Sequence, residues 1–156
     1  SYLPYVSHGD ADLFYQGMLY QACMTYFSSG YQIVYEPEMC KVITQDNKTY
    51  LVSLNTTGLW SDTTPISIDD VMFTYEDIIK NNFWDIPNLR NYQKIDVEKI
   101  SDNSLRVTFP GSSVDNLNFF TNYILPKHKL KGVALNYYLN EFKQQPVTNN
   151  CGSIKS

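Results

Sequence analysis

The sequence is poor in histidine and in charge, and it has no basic cluster. Two of its 156 residues are His, 18% are charged, and the net charge is −4. No stretch of Lys and Arg is dense enough to track a phosphate backbone, so nucleic acid is not expected as a partner. No apolar run approaches the roughly 18 residues that a membrane-spanning helix needs. The three cysteines, Cys23, Cys40 and Cys151, cannot all pair within the chain. They form no CxxC and no Cys/His ligand spacing, so a zinc site is not expected. One disulfide is an open option, but Cys23 and Cys40 stand among apolar residues and read as small core side chains. No nucleophile–base–orienter constellation is readable, so neither an enzyme nor a cofactor is expected. No signal peptide is visible, and the first residue is Ser. The chain therefore reads as a mature or excised piece of a longer protein.

What is abundant is aromatic. Hydrophobic residues make up 43% of the chain and aromatics 15%, with 13 Tyr. That balance fits one folded domain with a real core. Tyrosine joins an apolar body to a polar tip, which suits half-buried cores and ligand grooves alike.

No internal repeat or low-complexity tract divides the chain, so residues 1–156 read as a single unit. Tyr15, Met18, Leu19, Ala22, Cys23 and Tyr26 fall on one helical stripe, which "FSSG" would end. Residues 31–35 read as a short strand. "CKVITQDNKTYLVSL" and "YQKIDVEKISDNSLRVTF" read as two hairpins, because alternating apolar residues flank "QDNK" and "SDNS". A helix is expected over Val114–Tyr123, stopped by Pro126. Another is expected where Leu135, Tyr138, Leu139 and Phe142 recur at helical spacing. The tail "QQPVTNNCGSIKS" reads as a loop. Hairpins and helices alternate without a βαβ rhythm, which predicts an α+β fold, a hairpin-rich mixed sheet with packed helices.

"GLWSDTTPISIDDVMFTYEDIIK" concentrates carboxylates at Asp62, Asp69 and Asp70. An acid/base pair or a metal site would need a cleft and a spacing that this run does not supply. A local reading is sufficient. Asp62 and Pro65 shape a bend. Ser67-Ile68-Asp69-Asp70 fits a capping box, in which Ser67 and Asp70 exchange bonds at the start of a helix. Ile68, Val71, Met72, Tyr75, Ile78 and Ile79 then form its buried stripe.

The same stretch resembles the signature of family 5 extracellular solute-binding proteins, the oligopeptide- and dipeptide-binding components of ABC importers. Members typically read W-S-D-G-x-P-[LV]-T-A-x-D-V-x-[FY]-[ST]. Trp60, Ser61, Asp62, Pro65, Asp70, Val71, Phe73 and Thr74 match it in register. Upstream, "YEPEMCKVITQDNKTYLVSLNTTGLW" resembles the family's "P-x-L-A-x-x-W" and the hairpin after it. Downstream, "IDVEKISDNSLRVTFPGSSVDNLNFFTNYILPKHKL" resembles a block ending in "I-L-P-K-H". "YLPYVSHGDAD" is similar to an N-terminal "L-N-P" segment, and "QQPVTNNCGSIKS" stands where members carry "N-P-V-G-T-G-P-Y". Two departures are notable. Thr63 replaces the turn glycine, so a positive φ there would be strained. Asn149 to Ser153 lose most of "GTGPY".

The resemblance implies part of one lobe of a type II periplasmic-binding-protein-like fold, matching the N-terminal third of such proteins and lacking the second lobe. It implies a solute, an oligopeptide above all, as ligand and ABC permease subunits as partners. It also implies a monomer located outside the cytoplasmic membrane, periplasmic or at the cell surface, with or without a lipid anchor. A structural or protein-interaction module built on this fold, with no transport role, is the alternative. In peptide-binding relatives two segments line the groove. Here they are Ser7, His8, Gly9 and Asp10, and "NNFWDIPNLRNY" with Phe83, Trp84, Asn88 and Tyr92. Asp10 reads equally well as a helix cap and His8 as a loop residue, whereas Phe83 and Trp84 read more readily as a cover for the core. His128 reads as a surface turn residue.

Overall fold

The computed structural model of the chain describes residues 3–6, 16, 17 and 19–149. Its centre is a four-stranded sheet built from the two expected hairpins. The first joins β3 (Cys40–Thr44) to β4 (Thr49–Leu54), and the second joins β5 (Asp96–Ser101) to β6 (Ser104–Thr108). The strand order is β3-β4-β6-β5, and each neighbouring pair is antiparallel. Alternation decides the faces. Tyr50, Val52, Leu105 and Val107 are fully buried on the inner face, while Leu51 is 41% exposed on the outer one. Directly opposed on the outer face, Arg106 and Glu98 pair at 3.1 Å.

Side chains shape both hairpin turns. The Asp46 carboxylate accepts the backbone N–H groups of Lys48 and Thr49 at 3.0 and 2.8 Å. In the second turn Ser101 Oγ accepts from Asn103 N–H at 3.1 Å. These are the Asx- and Ser-type turns that "QDNK" and "SDNS" predict.

The helix α1 (Ile68–Phe73) covers the inner face and runs on as a π-helical segment, Thr74–Lys80. Its capping box is present. Asp69 N–H donates to Ser67 Oγ at 3.2 Å, and the Asp70 carboxylate accepts Ser67 N–H at 3.0 Å. The expected stripe faces inward, with Met72 half-buried and the other five residues buried. At the junction the Thr74 hydroxyl donates to the Asp70 carbonyl at 2.9 Å, a back-bond that competes with the helical ladder. The same hydroxyl accepts Leu125 N–H at 3.0 Å, tying α1 to the chain beyond the second hairpin.

An aromatic cluster fills the space between sheet and helix. Phe119 and Phe120 come from a 3-10 helix, Val114–Thr121, and meet Tyr75 at 4.7 and 6.1 Å and Phe109 at 5.5 and 6.0 Å. That helix is tighter than an α-helix and stops at Thr121, short of the expected Tyr123. After it comes the one-turn helix α2 (Lys127–Leu130). Then α3 (Leu135–Tyr137) passes into a π turn, Tyr138–Phe142, which buries Tyr138 and Phe142.

The N-terminal region differs from expectation. The helix ends earlier than the spacing of the stripe predicts. Helical backbone is seen at 16, 17 and 19, and the chain is already extended at Met24–Ser29, the strand β1. Tyr15 and Met18 lie outside the described residues. Thr25, Tyr26 and Phe27 are strong strand formers, and their pairing with β2 (Gln32–Pro37) overrides the helical spacing. The resulting two-stranded ribbon leaves Tyr26, Phe27 and Ile33 about half exposed. Cys23, just before β1, is disulfide-bonded to Cys40 at the start of β3. Both are buried, as core residues would be, but they are also a covalent staple between ribbon and sheet.

Up to Asn149, the last described residue, the tail is irregular, as expected, yet docked on the fold. Ser61 N–H donates to the Thr148 carbonyl at 2.8 Å, and Thr148 N–H to Ser61 Oγ at 3.0 Å. Asn149 Oδ1 accepts Gln21 N–H at 2.7 Å.

Candidate functional site

Three regions far apart in sequence meet in a groove of about 310 Å³. Pro4 and Tyr5 come from the N-terminal segment. Asn88, Leu89 and Tyr92 come from a 3-10 helix, Pro87–Tyr92, which Pro87 starts by fixing φ at its first position. Asn122 and Tyr123 follow the Phe119–Phe120 helix. Tyr5 Oη donates to the Tyr123 carbonyl at 2.6 Å, which holds the first and third regions together. Tyr5 itself sits at φ 71°, a left-handed backbone rarely kept by a non-glycine residue without a local cause. Tyr92 packs edge-on against Phe119 at 5.2 Å, so the groove wall is backed by the aromatic core. Burial pushes the Tyr5, Tyr92 and Tyr123 hydroxyls above the usual tyrosine range, and they stay protonated at neutral pH.

The expected site residues separate into three groups. Asn88 and Tyr92 line this groove. Phe83 is 54% exposed and lines a different surface hollow with Asp77 and Lys131. Trp84 is a core residue. It stacks on Tyr138 at 4.2 Å and 20° between planes, and its Nε1–H donates to the Val133 carbonyl at 2.8 Å. Ser7, His8, Gly9 and Asp10 lie outside the described residues; Pro4 and Tyr5, just before them, are in the groove. Tyr5 and Tyr123 were not anticipated. No local pattern marks them, because their convergence depends on long-range packing.

The acidic stretch is structural. Asp70 is buried and serves as a hub. Besides Ser67 N–H it accepts Trp60 Nε1–H at 3.0 Å and Lys127 N–H at 2.9 Å. Asp69 pairs with Lys99 at 3.0 Å. Asp62 Oδ1 accepts Thr64 N–H at 3.1 Å, and Oδ2 meets His128 Nε2 at 2.6 Å. His128 is thus a surface residue with a specific partner. Burial raises the Asp62 carboxyl, but the bonds from His128 and Thr64 outweigh it and leave it below the usual carboxylate range. Thr63, between them, has φ 71°, the strained backbone anticipated from the missing glycine. Among the described residues no three His, Cys, Asp or Glu converge to hold a metal ion, and no helix is long and apolar enough to cross a membrane.

Comparison with known families settles what kind of chain carries this arrangement. Residues 35–150 match the model described as "Bacterial extracellular solute-binding proteins, family 5 Middle". The chain belongs to this family. The chain is also similar to the "Probable ABC transporter-binding protein" of Deinococcus radiodurans, 33% identical over 102 residues, which are 60% of this chain and 16% of the relative. The oligopeptide-binding protein AppA of Bacillus subtilis, solved with a nonapeptide, superposes with TM-score 0.76 at 22% identity, covering 93% of this chain and 30% of AppA. An oligopeptide-binding protein of Thermotoga maritima, solved with mannohexaose, gives TM-score 0.69 at 22% identity, covering 85% and 24%. The family 5 chain described above therefore has part of a type II periplasmic-binding-protein fold, and it spans less than a third of the length of each of these relatives.

Proposed function

We propose that the chain contributes one wall of a peptide-binding cleft in a family 5 solute-binding protein that delivers its ligand to an ABC importer. One observation carries this reading: the groove joins Pro4 and Tyr5 to Asn88 and Tyr92. Pro4 and Tyr5 come just before the first of the two segments that the family resemblance assigns to the groove, and Asn88 and Tyr92 belong to the second. The chain represents the early part of one lobe, so the groove is open and a second lobe would close it. Its role is binding, not catalysis, since Asp62, Asp69 and Asp70 are all engaged in holding the fold. The buried Cys23–Cys40 disulfide supports a location outside the cytoplasm, where such bonds persist.

Calorimetric titration of the full-length protein with short peptides tests this. Peptides should bind, and Asn88→Ala and Tyr92→Ala should each weaken binding about tenfold. The reading fails if no peptide binds while a sugar or a metal complex does. It also fails if both variants bind peptide as tightly as the parent.

A further inference from the structure

The groove is polar without being charged. Its described lining carries the hydroxyls of Tyr5, Tyr92 and Tyr123 and the amides of Gln16, Asn88 and Asn122, and no charged residue. Some of this polarity is spent on the fold. Tyr5 Oη is bound to the Tyr123 carbonyl, and Asn122 Nδ2–H donates to the Phe119 carbonyl at 2.8 Å. The Asn88 amide and the Tyr92 hydroxyl are not so engaged among the described residues, which leaves them for a ligand. Beside this wall the Tyr75 hydroxyl is fully buried without a hydrogen-bond partner among the described residues. Thr121 and Tyr123 also line a second, smaller hollow of about 110 Å³, which Glu38 lines as well. Glu38 is close enough to Tyr123 to raise its hydroxyl further.

We propose that this wall selects for an uncharged residue of the bound peptide, polar or aromatic, and rejects charged residues, carboxylates most strongly. The proposal rests on the peptide reading above and adds a preference to it. Against the described lining a charged side chain would leave water without gaining a counter-charge, and that loss is not recovered by neutral hydroxyls and amides. A Gln, Asn or Tyr side chain would exchange hydrogen bonds in kind with Asn88 and Tyr92. An aromatic ring would also gain the tilted and edge contacts that tyrosine walls favour. An anionic group fares worst, because Glu38 repels it from the adjoining hollow.

The test uses the full-length protein and peptides that differ at one position, scanned through Tyr, Gln, Lys and Glu along the peptide. At one position Tyr and Gln should bind at least about tenfold more tightly than Lys, and Lys more tightly than Glu. In Asn88→Asp, checked by its unfolding midpoint, the Lys penalty at that same position should shrink or reverse. If peptides bind but charge makes no difference at any position, the selection is wrong and the peptide reading stands. If a preference exists but Asn88→Asp leaves the Lys penalty untouched, the preference does not come from this wall and the proposal fails. If no peptide binds, the peptide reading falls and takes this proposal with it.

Discussion

The Asp70 hub and the tyrosine groove are both polar, and they use polarity in opposite ways. At the hub a buried carboxylate takes N–H groups from Trp60, Ser67 and Lys127. It joins a turn, a helix start and the chain after the second hairpin, and it leaves nothing for a ligand. In the groove the Asn88 amide and the Tyr92 hydroxyl take no such part among the described residues. Buried polar groups that are fully satisfied specify a structure, whereas unsatisfied ones at an open surface await a partner. The contrast separates architecture from function more sharply than the residue types do, since an acidic cluster would ordinarily attract attention before a few tyrosines.

The comparison can be broken by measurement. Asp70→Ala strands three donors and should cost about 3–4 kcal/mol, read as a lower urea midpoint at unchanged m. A loss near the 1 kcal/mol of a simple cap would reduce the hub to a local device. Trp60→Phe removes one of the three donors and keeps most of the ring, so about 1–2 kcal/mol is expected in the same assay. Thr63→Gly relieves the left-handed backbone and should raise stability by up to about 1 kcal/mol, seen as a higher melting temperature.

The Asp62 carboxyl is depressed in the folded state, so its stabilisation is full above the unfolded carboxylate range and is lost as pH falls through the lower folded value. Stability measured from pH 6 to pH 3 should therefore fall less steeply in Asp62→Asn than in the parent. At the groove, Tyr92→Phe should change stability by less than about 0.5 kcal/mol while weakening peptide binding. A large stability loss there would erase the distinction between the two regions.

Much of the hub was legible in sequence because its parts are local. Ser67 and Asp70 are three residues apart, and the stripe from Ile68 to Ile79 has one period. Both hairpins were legible for the same reason. What sequence could not supply were the long partners. Trp60 reaches Asp70 from ten residues away, and Lys127 from 57. Trp84 carried two readings, groove wall or core, and only the stack on Tyr138 decides between them. Tyr26 misled because its spacing suited a helix while its own preference, and its pairing with Tyr35, suited a strand. The groove was half legible. Asn88 and Tyr92 came from the family resemblance, whereas Tyr5 and Tyr123 required the fold.

The link between Cys23 and Cys40 has a topological consequence. The two-stranded ribbon lies between them, and its tip at Gly30 and Tyr31 is exposed. The ribbon is thus a closed covalent ring hanging from the body. A protease that cut the tip would open the backbone yet release no piece. The nicked protein would run as one band on a non-reducing gel and part into two only when reductant is added.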